Sequence, residues 1–279
     1  MHSLSKRAFA LVGPGRAGTT IAVALVARGW TARAVAGRTN HSESTRRVAE
    51  QLGASAVDVA DVGHDVGLVV IATPDAEIAE CAGALAPGVR SGALVLHLSG
   101  ACTLDELDKL RVSRPDVHIG SLHPLQSLPS ADVGMARLAG SWCAVDGPIA
   151  VERLAVSLGM RPFRIPESNR VAYHAAATIA SNHVVALLGQ ATRVAAGAGL
   201  PSAALWPLVR ATVDNVVTHG PVDALTGPVS RGDVDTVARH LDALPPAERA
   251  AYRALAEQAS RVCGRDDAAL HELLREDAR

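Results

Sequence analysis

The chain has 279 residues, a formal net charge of -1 and no long basic run, which argues against nucleic acid or an anionic membrane as its main partner. With 48% hydrophobic and 20% charged residues the composition is globular, and the length suits about two domains. Four scattered cysteines without a C-x-x-C pair indicate no disulfide framework, and histidines without H-E-x-x-H spacing give no metal site. No signal-peptide pattern and no apolar run of about 20 residues stands out, so the expectation is a soluble, cytoplasmic protein without a membrane partner.

The first predicted element is a buried strand, Ala8 to Val12, which runs into Gly13-Pro14-Gly15-Arg16-Ala17-Gly18 and then into an apolar helix. A G-x-G-x-x-G turn between strand and helix is the dinucleotide-binding arrangement. Gly13 permits the tight turn, Gly15 lets backbone approach a pyrophosphate, and Gly18 lets helix and strand pack closely. The helix beginning near Arg16 and Ala17 offers its free N–H groups and positive dipole end to the phosphates. A second strand, Thr31 to Ala36, ends at Gly37-Arg38-Thr39. An acidic residue about 20 positions past the last glycine would accept a ribose 2′-hydroxyl. That position falls on Arg38, whose guanidinium, with Thr39 beside it, suits a 2′-phosphate. The expected cofactor is therefore NADP (NADPH) rather than NAD, the alternative being that Arg38 is an ordinary surface arginine.

Farther along, Ser42 to Leu52 reads as a helix with Ser42 or Ser44 as N-cap and Gly53 as terminator. Val66 to Ala72 and Ala93 to Leu98 are continuous apolar runs that suit strands buried on both faces of a parallel sheet. Between them a helix starts at Thr73-Pro74-Asp75 and stops at Pro87-Gly88, with Thr73 and Pro74 shaping the cofactor wall. A helix near Thr103 to Leu110, strands at Val117 to Leu122 and Trp142 to Val145, a helix from Ile149 to Leu158 and a last strand from Arg161 to Ile165 complete an open, doubly wound, mostly parallel α/β sheet.

After Pro166 the composition changes. Glu167 to Ala198 is alanine-rich and free of proline, a predicted helix of about thirty residues. Further helices are expected at Ser202 to His219, with Pro207 a candidate kink, and at Asp233 to Leu244, Pro246 to Val262 and Asp266 to Glu276. Residues 1–166 thus read as a dinucleotide-binding domain, and residues 167–279 as an all-α domain built on a long central helix.

Ligands of open α/β sheets lie beyond the carboxyl ends of the strands. There Ser99 follows one strand and His123 another. Reducing a carbonyl by hydride leaves an alkoxide that needs a proton or a strong hydrogen bond, and a histidine titrating near neutrality can give either. His123 is the candidate donor, or else it braces its loop. On the long helix His174, Thr178 and Asn182 fall at i, i+4 and i+8, a polar stripe for a ligand or for a helix contact. The run Leu225-Thr226-Gly227-Pro228-Val229-Ser230-Arg231-Gly232-Asp233 offers Thr226 and Arg231 to a carboxylate substrate, although Asp233 suits a plain N-cap.

The glycine turn, Gly120-Ser121-Leu122-His123-Pro124-Leu125-Gln126, Tyr173-His174-Ala175-Ala176 followed by Ser181-Asn182-His183, and Ala224 to Asp233 occur in one order. Together they resemble a bacterial family of Rossmann-like proteins with a helical C-terminal domain of unknown function, within the 6-phosphogluconate dehydrogenase-like superfamily. The resemblance implies a Rossmann fold, NADP-dependent oxidoreductase activity and a homodimer. Related ketopantoate reductases carry K-x-x-x-N on the central helix. Asn182 matches the substrate-binding asparagine, but Thr178 stands where lysine would donate the proton. The burden then moves to His123, His174 or water. The substrate it favours is a small 2-oxo acid, 2-dehydropantoate first, with pantothenate biosynthesis as its setting. Alternatives are a dehydrogenase of a prephenate-like or pyrroline-carboxylate-like acid, or an NADP-binding sensor without chemistry.

Overall fold

A computed structural model describes residues 7–275, so Glu276, the expected end of the last helix, lies outside the described residues. Eight strands form one sheet: β1 (Ala8–Val12), β2 (Thr31–Ala36), β3 (Ser55–Ala56), β4 (Leu68–Ile71), β5 (Leu94–His97), β6 (His118–Pro124), β7 (Trp142–Asp146) and β8 (Arg161–Phe163). Their order is β3-β2-β1-β4-β5-β6-β7-β8. The first six strands are parallel in the doubly wound order of dinucleotide-binding sheets. Then β7 turns antiparallel to β6, and β8 runs parallel to β7. Among the elements that escape the sequence pattern are the two-residue β3, too short to show alternation, the helix Ala131–Leu138, which Ser130 caps, and the short helix Pro228–Arg231.

Alternate residues along the strands build two cores. Phe9, Leu11, Leu68, Val70, Leu96, Leu122, Cys143 and Val145 pack on one face. Ala10, Val12, Val69, Ile71, Val95 and the half-buried Ile119 pack on the other. Each fully buried Leu, Ile or Val side chain contributes roughly 1.5–3 kcal/mol, so both faces commit the sheet to burial between helices. The second face changes character at its carboxyl edge: after Val95 comes His97, and after Ile119 come Ser121 and His123. His97 and Ser121 are neighbours in register and fully buried.

The predicted caps hold. Ser42 accepts from the Thr45 backbone N–H, and Gly53 ends that helix in the left-handed region at φ 64°. Pro207 does not kink its helix, because it lies in the first turn of Leu205–Ala224, where its missing N–H costs no hydrogen bond. The break comes instead at Gly220 (φ 80°, ψ 166°), just before Pro221.

The long central helix forms, but it is not uniformly α: Ile179–His183 is a π turn between the α segments Arg170–Thr178 and Val184–Gly197. The four-residue repeat assumed for His174, Thr178 and Asn182 therefore ends at Thr178. The helical stretch Glu167–Gly197 is also long and apolar enough to cross a membrane, by length and composition alone. This corrects the expectation that no such stretch exists; alanines on either side of Val184-Val185-Ala186-Leu187-Leu188 make the whole helix apolar although no single uninterrupted apolar run is long. Two compact units divide the chain, residues 1–181 and 182–279, with the boundary inside the central helix. The second unit has its own small core of Val229, Val237, Leu241, Ala256, Leu270 and Leu274.

Candidate active site

The glycine turn closes β1 at the point where the sheet order reverses. Gly13, at φ 86°, donates its N–H to Ala36 O at 2.8 Å, and a Cβ there would lie 2.6 Å from the Ala72 carbonyl. A Cβ on Gly18 would overlap Gly13 O and lie 2.8 Å from Ala72 Cβ. A Cβ on Gly15 would meet nothing within 4 Å. Two glycines are thus demanded by the protein's own packing, while Gly15 leaves open space beside the backbone. Gly15 is also the N-cap of the helix Arg16–Ala27, with no side-chain cap and no acidic residue in the first turn. Bare N–H groups, a positive dipole end and an open approach fit the pyrophosphate of a dinucleotide.

Thr73, just past β4, has a buried hydroxyl with no hydrogen bond of good geometry, the Cys81 thiol being its polar neighbour. A Cβ on Gly37 would come within 3.4 Å of Pro14, so the end of β2 lies against the glycine turn. The exposed Arg38 and Thr39 follow directly, and Arg38 has no ion-pair partner among the described residues. An unpaired guanidinium there fits a 2′-phosphate.

At the ends of β5 and β6 the polar row meets the start of the central helix. Arg170, 2% exposed, donates to Ser121 Oγ at 2.6 Å and to Ser99 O at 3.4 Å, and lies 3.8 Å from Asp146. Its Nε is buried without a hydrogen-bond partner. One helical turn on, Tyr173 Oη lies 2.6 Å from His123 Nδ1, and the His174 ring stands edge-on to His123 at 5.9 Å. Arg170, Tyr173 and His174 occupy i, i+3 and i+4, one helix face. Gly100 sits between the imidazoles: a Cβ there would lie 2.8 Å from both the His123 and the His174 ring.

The histidines differ from their expected state. Burial, then the charge of His174 and of Arg170, holds His123 down to about 4, so at neutral pH its ring is uncharged. It is a neutral hydrogen-bonding group, which corrects the reading of it as a proton donor titrating near neutrality. Burial and Arg170 likewise hold His97 to about 4. Its Nδ1 accepts from the Ser99 N–H at 3.2 Å, leaving Nε2–H for Thr103 O at 3.2 Å, so its role is to fix this loop. Ser99 Oγ accepts from the N–H groups of Ala101 and Cys102 and spends its lone pairs shaping the turn, leaving only its O–H for a ligand.

The first unit therefore brings His123 and His174 together, beside Ser99. Thr178 lies one turn farther along the helix, half-buried. The other expected residues, Asn182, Thr226 and Arg231, belong to the second unit, and all three are exposed. Asn182 sits in the π turn, Arg231 closes the short helix Pro228–Arg231, and Asp233 caps the next helix by accepting from the Thr236 N–H at 3.0 Å. No cluster of three or more metal-ligating side chains occurs among the described residues.

Two family models match the chain: a Rossmann-like domain over residues 4–115 and DUF2520, a domain of unknown function, over residues 146–259. The chain thus carries a match to a Rossmann-like domain followed by a match to DUF2520. No curated protein matches it. Among solved structures, a candidate NADP oxidoreductase from Bacteroides fragilis is similar at 24% identity, covering 94% of this chain and 100% of its own, with a TM-score of 0.78. A protein from Thermotoga maritima is 25% identical over 92% of this chain and 98% of its own, with a TM-score of 0.68. An imine reductase from a Pseudomonas species is 17% identical over 97% of this chain and 100% of its own, with a TM-score of 0.64. The likeness establishes a shared fold.

Proposed function

We propose that this chain is an NADP-dependent oxidoreductase that reduces a small 2-oxo acid, with 2-dehydropantoate the first candidate. The observation that carries the reading is the glycine turn, where Gly13 and Gly18 are locked by packing while Gly15 stands open before an uncapped helix N-terminus. Gly13 to Gly18 would hold the pyrophosphate, Arg38 and Thr39 the 2′-phosphate, and Thr73 and Pro74 the wall beneath the nicotinamide. Bound NADPH would supply the hydride. The chain's part is to orient the acceptor beyond β5 and β6 and to satisfy the oxygen that gains charge. Gly100, His123, Tyr173 and His174 are grouped at those strand ends, and the neutral ring of His123 suits an uncharged carbonyl.

A second reading, reduction of a cyclic imino acid, draws support from the fold shared with imine reductases. One experiment separates the readings. Purified chain is titrated with NADPH and NADH, and cofactor oxidation is followed over a panel of 2-oxo acids, 2-dehydropantoate and pyrroline carboxylates, with product analysis. Tight NADPH binding with turnover of 2-oxo acids supports the first reading, and turnover of cyclic imines alone supports the second. Binding without turnover leaves a sensor, and no binding at millimolar NADPH removes all three.

A further inference from the structure

We propose that the Tyr173 hydroxyl is the proton donor of this reaction, oriented by a hydrogen bond donated from His123 Nδ1. The inference rests on the proposed reductase reading and deepens it.

An alkoxide formed beyond β5 and β6 needs an acid stronger than an alcohol. The chain's lysines are Lys6 and Lys109 alone, so the central helix carries none. Thr178 is an alcohol and no stronger than the group it would protonate. His123 is uncharged at neutral pH, and its ring nitrogens are then weak acids. A phenol remains. Burial raises Tyr173 to about 12, still well below the ~15.7 of water, so proton transfer to an alkoxide runs downhill.

Position points the same way. Tyr173 is half-buried, with its ring edge-on to Phe163 and His123 and its oxygen 2.6 Å from Nδ1. If Nδ1 carries the proton, it donates to the phenol oxygen, and the phenol hydrogen is free to face a substrate. In the step, the Oη–H bond breaks as the substrate oxygen takes the proton. The phenolate then takes a proton from solvent, and the Nδ1–H, which stays on its nitrogen throughout, orients the restored hydroxyl. Tyr173 is thus the catalytic acid and His123 a positioning residue.

The test uses the full chain. Tyr173→Phe keeps the ring, and NADPH affinity measured by fluorescence checks its fold. The expected result is a loss in kcat of at least about 100-fold with the NADPH Kd unchanged. Independently, ¹⁵N spectra of the cofactor-free protein at pH 7 should show the His123 ring protonated at Nδ1. His123 is identified as the imidazole whose resonances move in Tyr173→Phe. A variant within threefold of an active wild type, or a His123 ring protonated at Nε2, overturns the proposal. A wild-type chain that oxidises no NADPH over the whole panel overturns the reductase reading first and this inference with it.

Discussion

Gly13, Gly15 and Gly18 share one motif but do different physical work, and substitution separates them. Gly13 holds a positive φ against the Ala72 carbonyl, so alanine there meets both strain and overlap, at about 1–3 kcal/mol. Gly15 has extended backbone and open space, so alanine costs the fold little. Gly15→Ala is therefore expected to leave the thermal midpoint within about two degrees of wild type and weaken NADPH binding at least tenfold. Gly13→Ala should lower both. Calorimetric melting and titration read the two quantities, and an unaltered NADPH affinity in Gly15→Ala would refute the cradle. The buried histidines give a second test. His97 and His123 have folded pKa values near 4 against about 6.5 unfolded, so below pH 6.5 the unfolded chain binds protons that the folded one refuses. Stability is full above about 6.5 and falls as pH drops toward 4, by at most about 1.4 kcal/mol per pH unit for each ring. Denaturant melts at pH 7 and pH 5 should show this loss, and His97→Gln should shrink it.

Among the elements, the glycine turn, the Ser42 and Gly53 caps and the alternation of strands with helices were legible because each is a local signal. The chemistry at the strand ends was legible only in part. His123 stood out as a histidine at a strand end, whereas its low pKa depends on burial and on His174 and Arg170, residues far away in sequence. Arg170 and Tyr173 carried a signal that could have been used, since with His174 they occupy one helix face. The π turn was invisible because a single change of hydrogen-bond register leaves composition untouched. Pro207 drew attention as a breaker, but a proline in the first turn breaks nothing, and the backbone turns at Gly220 instead. That position lies in a region of φ/ψ essentially reserved for glycine. Gly220→Ala should therefore cost about 1–3 kcal/mol, while Pro207→Ala should stay within about 1 kcal/mol. Equal melting temperatures for the two variants would show that the bend is not where the second unit holds its conformation.

At the scale of the molecule, the helix Leu205–Ala224 poses a problem that a single chain does not solve. It has no buried residue, and Val217 is 81%, Leu208 65% and Val222 60% exposed. A helix of this length is marginal in water without an apolar face to bury. The same unit carries an apolar cavity of about 930 Å³, lined by Leu187, Val194, Leu225, Tyr252 and Leu255 among others. Exposed apolar side chains and an apolar groove on one unit are the two halves of a self-complementary contact, and we propose a homodimer in which a second copy covers this surface. Light scattering after size exclusion should give twice the 28.8 kDa chain mass at micromolar concentration. Leu208→Arg with Val217→Arg should lower it to one chain mass and lower the melting temperature of the second unit, with NADPH affinity of the first unit retained. A wild-type chain that stays monomeric at hundred-micromolar concentration would leave this helix without its proposed cover and refute the dimer.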